Sequence, residues 1–245
     1  MHKIEIILLN PDSINEGVKM AQFAARLTQK GHDLNSFRKI YDLYNKEINS
    51  GFIKTLTELP HPTLQKFSVI NICVVGASRR FLAQITRHQN EVKFMSTSLQ
   101  YSDYTNHANF VVPYNLIDTP YEADYLSKCY DAAEEYKFIT ENTDNDTAGY
   151  VMPQSLRNVL IISATPYQWR HMIRQRICRR NTDETRYVML KCWEILQLND
   201  KYGFFDNCLP DCCKEGKFSC KHPIDKNANA SEILRCDFAK IYKEV

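Results

Sequence analysis

Apolar residues recur with a helical period after the first ten positions. Val18, Ala21, Ala25 and Leu27 fall within a stretch that predicts a helix from a capping Ser13 to about Gln29, with Gly31 suited to its C-terminal end. The nine residues before Asn10-Pro11-Asp12 read as a first or edge strand. Residues 34–49 repeat the helical pattern in a more polar form. Pro60 and Pro62 break the chain, and Phe67 to Val75 is apolar on both alternating faces, as a central strand requires. A helix is expected from Ser78 to His88, an irregular stretch up to Tyr104, a helix over 121–141 and a loop over 142–149. From Tyr150 to about Leu198 the pattern reads as mostly helical, interrupted at Pro166, where Thr165-Pro166 makes a suitable helix start. Beyond Lys201 the chain is rich in Cys, Pro, Gly and Asp, and little regular structure is expected there. The sum is an α+β domain with one sheet covered by helices.

Composition narrows the partners more than the fold. The 245 residues carry a formal charge of +2, with 44% hydrophobic and 24% charged residues, so neither nucleic acid nor an acidic membrane surface is called for as the main partner. No run approaches the roughly 20 apolar residues that span a bilayer. The opening Met1–Leu9 is too short and too charged for a signal peptide, so the expected location is cytoplasmic. The nine cysteines, an odd number in a chain expected to be cytosolic, suit reduced thiols better than a disulfide framework.

Two clusters carry candidate chemistry. On the helix expected over 78–88, Gln84 precedes Arg87 and His88 by three and four residues, bringing an amide, a guanidinium and an imidazole to one side. Such a group suits an anion, although cations at a helix C-terminus also simply complement its dipole. The hydroxyl-rich Ser96-Thr97-Ser98-Leu99-Gln100-Tyr101-Ser102 follows, either a phosphate contact or a polar turn. The second cluster is the basic stretch containing Arg170, His171, Arg174, Arg176, Arg179, Arg180 and Arg186. Here Arg176 sits at the edge of an apolar face formed with Trp169, Met172 and Ile173. A protein carboxylate such as Glu184, a bound nucleotide, a nucleic acid or solvent are the alternatives for it.

Gly76-Ala77-Ser78-Arg79, Gln84, Arg87-His88 and Ser98-x-Gln100-Tyr101-Ser102 resemble the signature of the flavin-dependent thymidylate synthases. There a Gly-x-Ser-Arg helix leads through a glutamine into Arg-His-Arg and then Ser-x-Arg-Tyr-Ser. His61-Pro62-Thr63, Ala24-Ala25-Arg26-Leu27-Thr28, Val151-Met152-Pro153, Trp169-Arg170-His171-Met172 and Glu184-x-Arg186 resemble further family motifs, in order, over about residues 13–200. The resemblance implies a central, mostly antiparallel sheet flanked by helices over residues 1–200, with 201–245 as a Cys-rich C-terminal tail. It implies reductive methylation of dUMP to dTMP with FAD, NADPH and 5,10-methylenetetrahydrofolate, in homotetramers whose active sites are shared between subunits. By the same resemblance Arg87, His88, His171, His61, Thr63 and Thr28 would contact FAD. Gln84, Ser98, Gln100 and Arg176 would contact the nucleotide, Ser98 and Arg176 closest to the reaction.

Three positions depart from that pattern. Gln89 and Gln100 stand where the family has arginines, and a family arginine for the dUMP phosphate falls at Gly149. The spacing from His88 also makes Ser96 a rival to Ser98. Lys93, Arg79 and Arg157 are candidate replacements for the lost charge. A paralogue acting on another pyrimidine nucleotide, or a flavin and nucleotide binder without turnover, are the alternatives these changes raise. In the tail, Cys208-x3-Cys212-Cys213-x6-Cys220 lacks the paired Cys-x2-Cys spacing of common zinc sites, and a reduced thiol-rich tail is expected, with no metal.

Overall fold

The computed structural model describes residues 4–59, 62–215 and 221–242. Strands β1 (Glu5–Leu8), β2 (Ile70–Ser78), β3 (Val92–Ser96) and β4 (Arg157–Ala164) make one sheet in the order β1-β2-β4-β3, with every neighbouring pair antiparallel. Residues 157–164, expected inside a mostly helical segment, therefore pair with two neighbours near the middle of the sheet. The physical reason is a period of two: Asn158, Leu160, Ile162 and Ala164 point into the core while Val159 and Ile161 face outward. The irregular stretch expected before Tyr104 contains β3, whose five residues are too few to announce themselves. The strand expected at 67–75 runs three residues later, to Ser78, with a register shift between Val75 and Ala77 beside Gly76 at φ 79°.

The helices cover one face. Helix α1 (Asp12–Lys30) begins after Pro11, not on a Ser13 cap; the Ser13 hydroxyl instead accepts from Asn10 Nδ2 at 2.9 Å. Helix α2 (Phe37–Tyr44) takes up only the middle of the second polar segment, and α3 (Ser50–Glu58) lies beyond it. Helix α4 (Arg79–Ile85) stops three residues short of the expected His88. Helix α5 (Glu122–Asn142) agrees with expectation, but the loop that should follow contains a turn of helix, α6 (Asn145–Ala148), capped by the Asp144 side chain. Helix α7 (Pro166–Arg176) starts where Thr165-Pro166 suggested, with the Thr165 hydroxyl accepting from Gln168 N. Its Trp169 is fully buried and donates Nε1–H to Ile70 O at 3.0 Å, which fixes α7 against β2.

Helix α8 (Asp183–Asn199) is buried along much of its length and lies between the sheet and the tail. The tail is more ordered than its composition suggested. It contains α9 (Asp211–Glu215) and α10 (Ala230–Asp237), the latter opened by a full capping box of Asn229 and Glu232. Phe204, Phe205, Leu209, Ile224, Leu234 and Phe238 join the same hydrophobic core as the sheet. Arg179 and Arg186 converge on Asp237, and Trp193 donates to Phe205 O at 2.7 Å, so the tail is held by ions and apolar burial together.

Candidate functional site

Ser78 sets the position of α4. Its hydroxyl accepts from Phe81 N at 3.1 Å, capping the helix, and donates to Glu184 Oε2 at 2.5 Å, while its backbone N–H donates to Glu184 Oε1 at 2.7 Å. Both oxygens of Glu184 thus tie the start of α8 to the start of α4. Burial raises the Glu184 carboxyl above its ordinary range, and the two hydrogen bonds from Ser78 oppose the shift. Glu184 is accordingly not the partner of Arg176 that the sequence left open.

At the other end of α4, Gln84 and His88 meet Arg176. Arg176 donates Nε–H to His88 Nε2 at 2.8 Å and Nη2–H to Gln84 O at 2.9 Å. A ring nitrogen that accepts from a guanidinium must be unprotonated, so the donor geometry assigns the proton of neutral His88 to Nδ1. Burial lowers the His88 pKa to about 4, and the neighbouring Arg176 and His171 add to the shift. The His171 ring lies edge-on to His88 with centroids 6.0 Å apart, and its pKa is also lowered, by burial first and then by Arg174.

The Gln84 side chain is oriented by hydroxyls. Its Oε1 accepts from Thr185 Oγ1 at 2.6 Å and from Thr182 Oγ1 at 3.2 Å, leaving its amide N–H groups to donate elsewhere. Thr182, two residues before Glu184, is not among the sequence candidates. Thr185 was missed altogether. The available signal was the capping position of Thr182 at the start of an acidic first turn, with a second hydroxyl three residues on.

Next to this group, α7 forms a wall of a cleft of about 1130 Å³, larger than the roughly 300–1,000 Å³ common for small-ligand sites. His171, Arg174, Arg176 and Arg180 line it, facing Lys54 of α3. Arg174 is tied to Asp211, yet its Nε is buried without a hydrogen-bond partner among the described residues. A buried, unmatched guanidinium nitrogen in a basic cleft suits an anionic ligand with phosphate oxygens. These residues therefore fit a phosphate-bearing cofactor. Arg170 also borders the cleft, but it is buried and engaged: it donates to the carbonyls of Phe204 and Asn207 and lies over the Phe204 ring, so it supports the tail.

The other expected residues do not join this group. Arg87 is exposed on the turn after α4, close enough to lower the Arg176 pKa after burial has done so. Thr28 is exposed and bonds back to Ala25 O. Thr63 is exposed on a short 3-10 turn, Pro62–Lys66, whose Pro62 and Gln65 line the cleft. His61 lies outside the described residues. Ser98 and Gln100 sit in the turn after β3, where the Ser98 hydroxyl accepts from Gln100 N at 3.1 Å. The turn packs on Gly149: a Cβ there would stand 3.2 Å from the Leu99 Cβ. Gln100 and Gly149, the two positions lacking family arginines, are thus neighbours in space. Of the candidate replacements, Arg157 is spent on Phe110 O and Gly76 O, Arg79 reaches Thr97 O at 3.4 Å, and Lys93 is exposed on β3.

Solved structures share this architecture. A thymidylate synthase X from Helicobacter pylori, crystallised with FAD and dUMP, superposes over 84% of the chain and 99% of its own length, with a TM-score of 0.63 at 18% identity. A UMP/dUMP methylase PolB from Streptomyces cacaoi, bound to 5-Br dUMP, superposes over 82% of the chain and 95% of its own, with a TM-score of 0.60 at 16% identity. The fold is that of the flavin-dependent thymidylate synthases. The family model for thymidylate synthase complementing protein matches residues 12–199, and the chain belongs to that family as a divergent member. A flavin-dependent thymidylate synthase of Mycobacterium avium is 22% identical over a 161-residue alignment that covers 59% of the chain and 64% of that relative's length.

Proposed function

We propose that the protein is an FAD-dependent nucleotide methylase that converts dUMP, 5,10-methylenetetrahydrofolate and NADPH with a proton into dTMP, tetrahydrofolate and NADP⁺. The observation that carries this reading is the junction of Gln84, His88 and Arg176 beside a basic cleft, in a chain of this family. FAD, when bound, would carry the reducing electrons between the nicotinamide and the one-carbon unit. Arg174 and His171 would hold it along α7. Arg176, kept in place by His88 and the Gln84 carbonyl, would read a pyrimidine carbonyl with its remaining N–H donors. Gln84, its oxygen already engaged by Thr182 and Thr185, would donate from its amide to the same ring. Ser98 and Gln100 would reach the nucleotide of a neighbouring subunit, since they lie apart from Arg176 within the chain.

The outer face of the sheet supports assembly with further copies. Ile7, Cys73, Ile161 and Met95 make one cross-strand row there, and Ile7, Ile161 and Met95 are 45%, 40% and 73% exposed. An uncovered apolar row of this kind fits burial against a second copy in a homotetramer.

A second reading is favoured by one observation. Gln100 and Gly149 adjoin each other through Leu99 with no arginine at either position, which weakens the case for a 5′-monophosphate and leaves room for another pyrimidine substrate. Titration distinguishes the readings. The flavin absorbance of the FAD-loaded protein should shift on addition of dUMP. A shift produced by deoxyuridine but not by dUMP would replace dUMP as the substrate, and no binding of FAD would remove the flavoenzyme reading.

A further inference from the structure

The wall of the cleft opposite α3 contains an unassigned group of thiols. Cys178 follows the C-cap of α7, Cys212 and Cys213 belong to α9, and both Cys178 and Cys212 line the cleft. The Cys212 thiol has Cys178 as its neighbour on one side and Cys213 on the other. The Arg174–Asp211 ion pair holds the two elements together at the same place. None of the three is joined in a disulfide. Two thiols that border one cleft beside a shared ion pair have the juxtaposition a disulfide needs. Among the described residues no set of three or more His, Cys, Asp or Glu side chains is arranged to hold a metal ion, which favours pair chemistry over a thiolate metal site.

We propose that Cys178 and Cys212 are a redox-active thiol pair, a covalent modification site in which small disulfides of the glutathione class close a disulfide that pins α9 to the end of α7 along the cleft. The step balances as two thiol–disulfide exchanges. The Cys178 thiolate attacks one sulfur of the small disulfide, forming a mixed disulfide and releasing one thiolate. Cys212, losing its proton to solvent, attacks the Cys178 sulfur, forms the internal disulfide and expels the second thiolate. The two protein thiols are oxidised and the small disulfide is reduced to two thiols.

The environment assigns the order of attack. Burial pushes the Cys178 thiol up, but backbone and side-chain hydrogen bonds from Arg180, its charge and the Cys212 thiol outweigh burial and bring the group below its ordinary value. Cys212 is pushed up to about 11 by burial and by its neighbours Cys213 and Cys178. It is therefore the resolving thiol, and one source of its suppression disappears once Cys178 is in a mixed disulfide and carries no charge. Oxidation also removes the titratable thiol that faces Arg180, a residue of the cleft lining.

The test is incubation of the full-length reduced protein with glutathione disulfide, followed by intact mass and non-reducing peptide mapping. The expected result is loss of the mass of two hydrogen atoms, loss of one pair of titratable thiols, and a cross-linked peptide joining Cys178 to Cys212. Cys213→Ser should leave the closure intact. Cys212→Ser should stop at a glutathione adduct on Cys178, with circular dichroism confirming a folded protein. A stable adduct on wild-type Cys178 without closure, a cross-link that persists in Cys212→Ser, or no reaction at Cys178 would each overturn the proposal.

Discussion

Arg176 donates its Nε hydrogen to His88 Nε2 at 2.8 Å, across 88 residues of sequence, and this bond joins the turn after α4 to the end of α7. It adds to the burial that keeps His88 neutral and fixes the plane of the guanidinium, so the nitrogen not used in these bonds has a defined direction. The two family motifs that contribute these residues are thereby made into one site.

Replacing Arg176 with alanine should weaken nucleotide binding by about ten- to a hundredfold, the equivalent of one charged hydrogen bond of roughly 1.5–3 kcal/mol. FAD should still bind, because His171 and Arg174 remain. Isothermal titration with FAD and then with nucleotide checks both parts. Unchanged nucleotide affinity would remove Arg176 from the site.

The burial of His88, with Arg176 and His171 beside it, sets a pH dependence. His88 titrates near 4 in the folded chain and near 6.5 when unfolded, so between those values the unfolded chain binds more protons. The stability linked to His88 is therefore complete above pH 6.5 and is lost as the pH falls from 6.5 to 4. Thermal unfolding across that window should show a falling Tm, and His88→Gln, whose amide oxygen can still accept from Arg176, should flatten the slope. An identical slope in the variant would contradict the assignment.

Asp237 accepts from both Arg179 and Arg186, and those hydrogen bonds outweigh burial to hold its carboxyl below the ordinary range. Arg186 is 5% exposed, so removing the carboxylate leaves a buried cation whose remaining carboxylate contact is the longer one, to Asp183 at 3.9 Å. Asp237→Ala should cost about 3–5 kcal/mol in urea unfolding. A loss below about 1 kcal/mol would show that the tail is held by apolar burial alone.

Gln100→Arg should restore a cation beside Gly149. If the substrate is a 5′-monophosphate, its affinity should rise by about tenfold, one added charged contact of roughly 1.5–3 kcal/mol less the ordering of the side chain. The affinity of the corresponding nucleoside should not change. Equal effects on nucleotide and nucleoside would show that position 100 does not meet the phosphate.

Much of this fold was legible where patterns were long or chemically marked. The periodic stretches at 13–29 and 121–141 are α1 and α5, and Thr165-Pro166 opens α7. β4 was not legible, because Val159, Leu160, Ile161 and Ile162 form a short apolar run that suits a buried helix as well as a strand. Its pairing with β2 and β3 settles the matter, and no local signal contains that pairing. The tail was misread because Cys, Pro, Gly and Asp mark turns locally, whereas Phe204, Phe205 and Phe238 are recruited by a core assembled elsewhere. The clusters around Gln84-Arg87-His88 and Arg176 were visible as motifs. Their junction, and the hydroxyls of Thr182 and Thr185 that orient Gln84, depend on contacts about 90 residues apart and emerge only on folding.

The most direct test of the central claim is an anaerobic reaction of the purified protein with FAD, NADPH, dUMP and isotopically labelled 5,10-methylenetetrahydrofolate, read by mass spectrometry. The account expects dTMP carrying the labelled methyl group, with NADPH consumed in equal amount. A protein that binds FAD and oxidises NADPH but leaves dUMP unlabelled would contradict dUMP methylation.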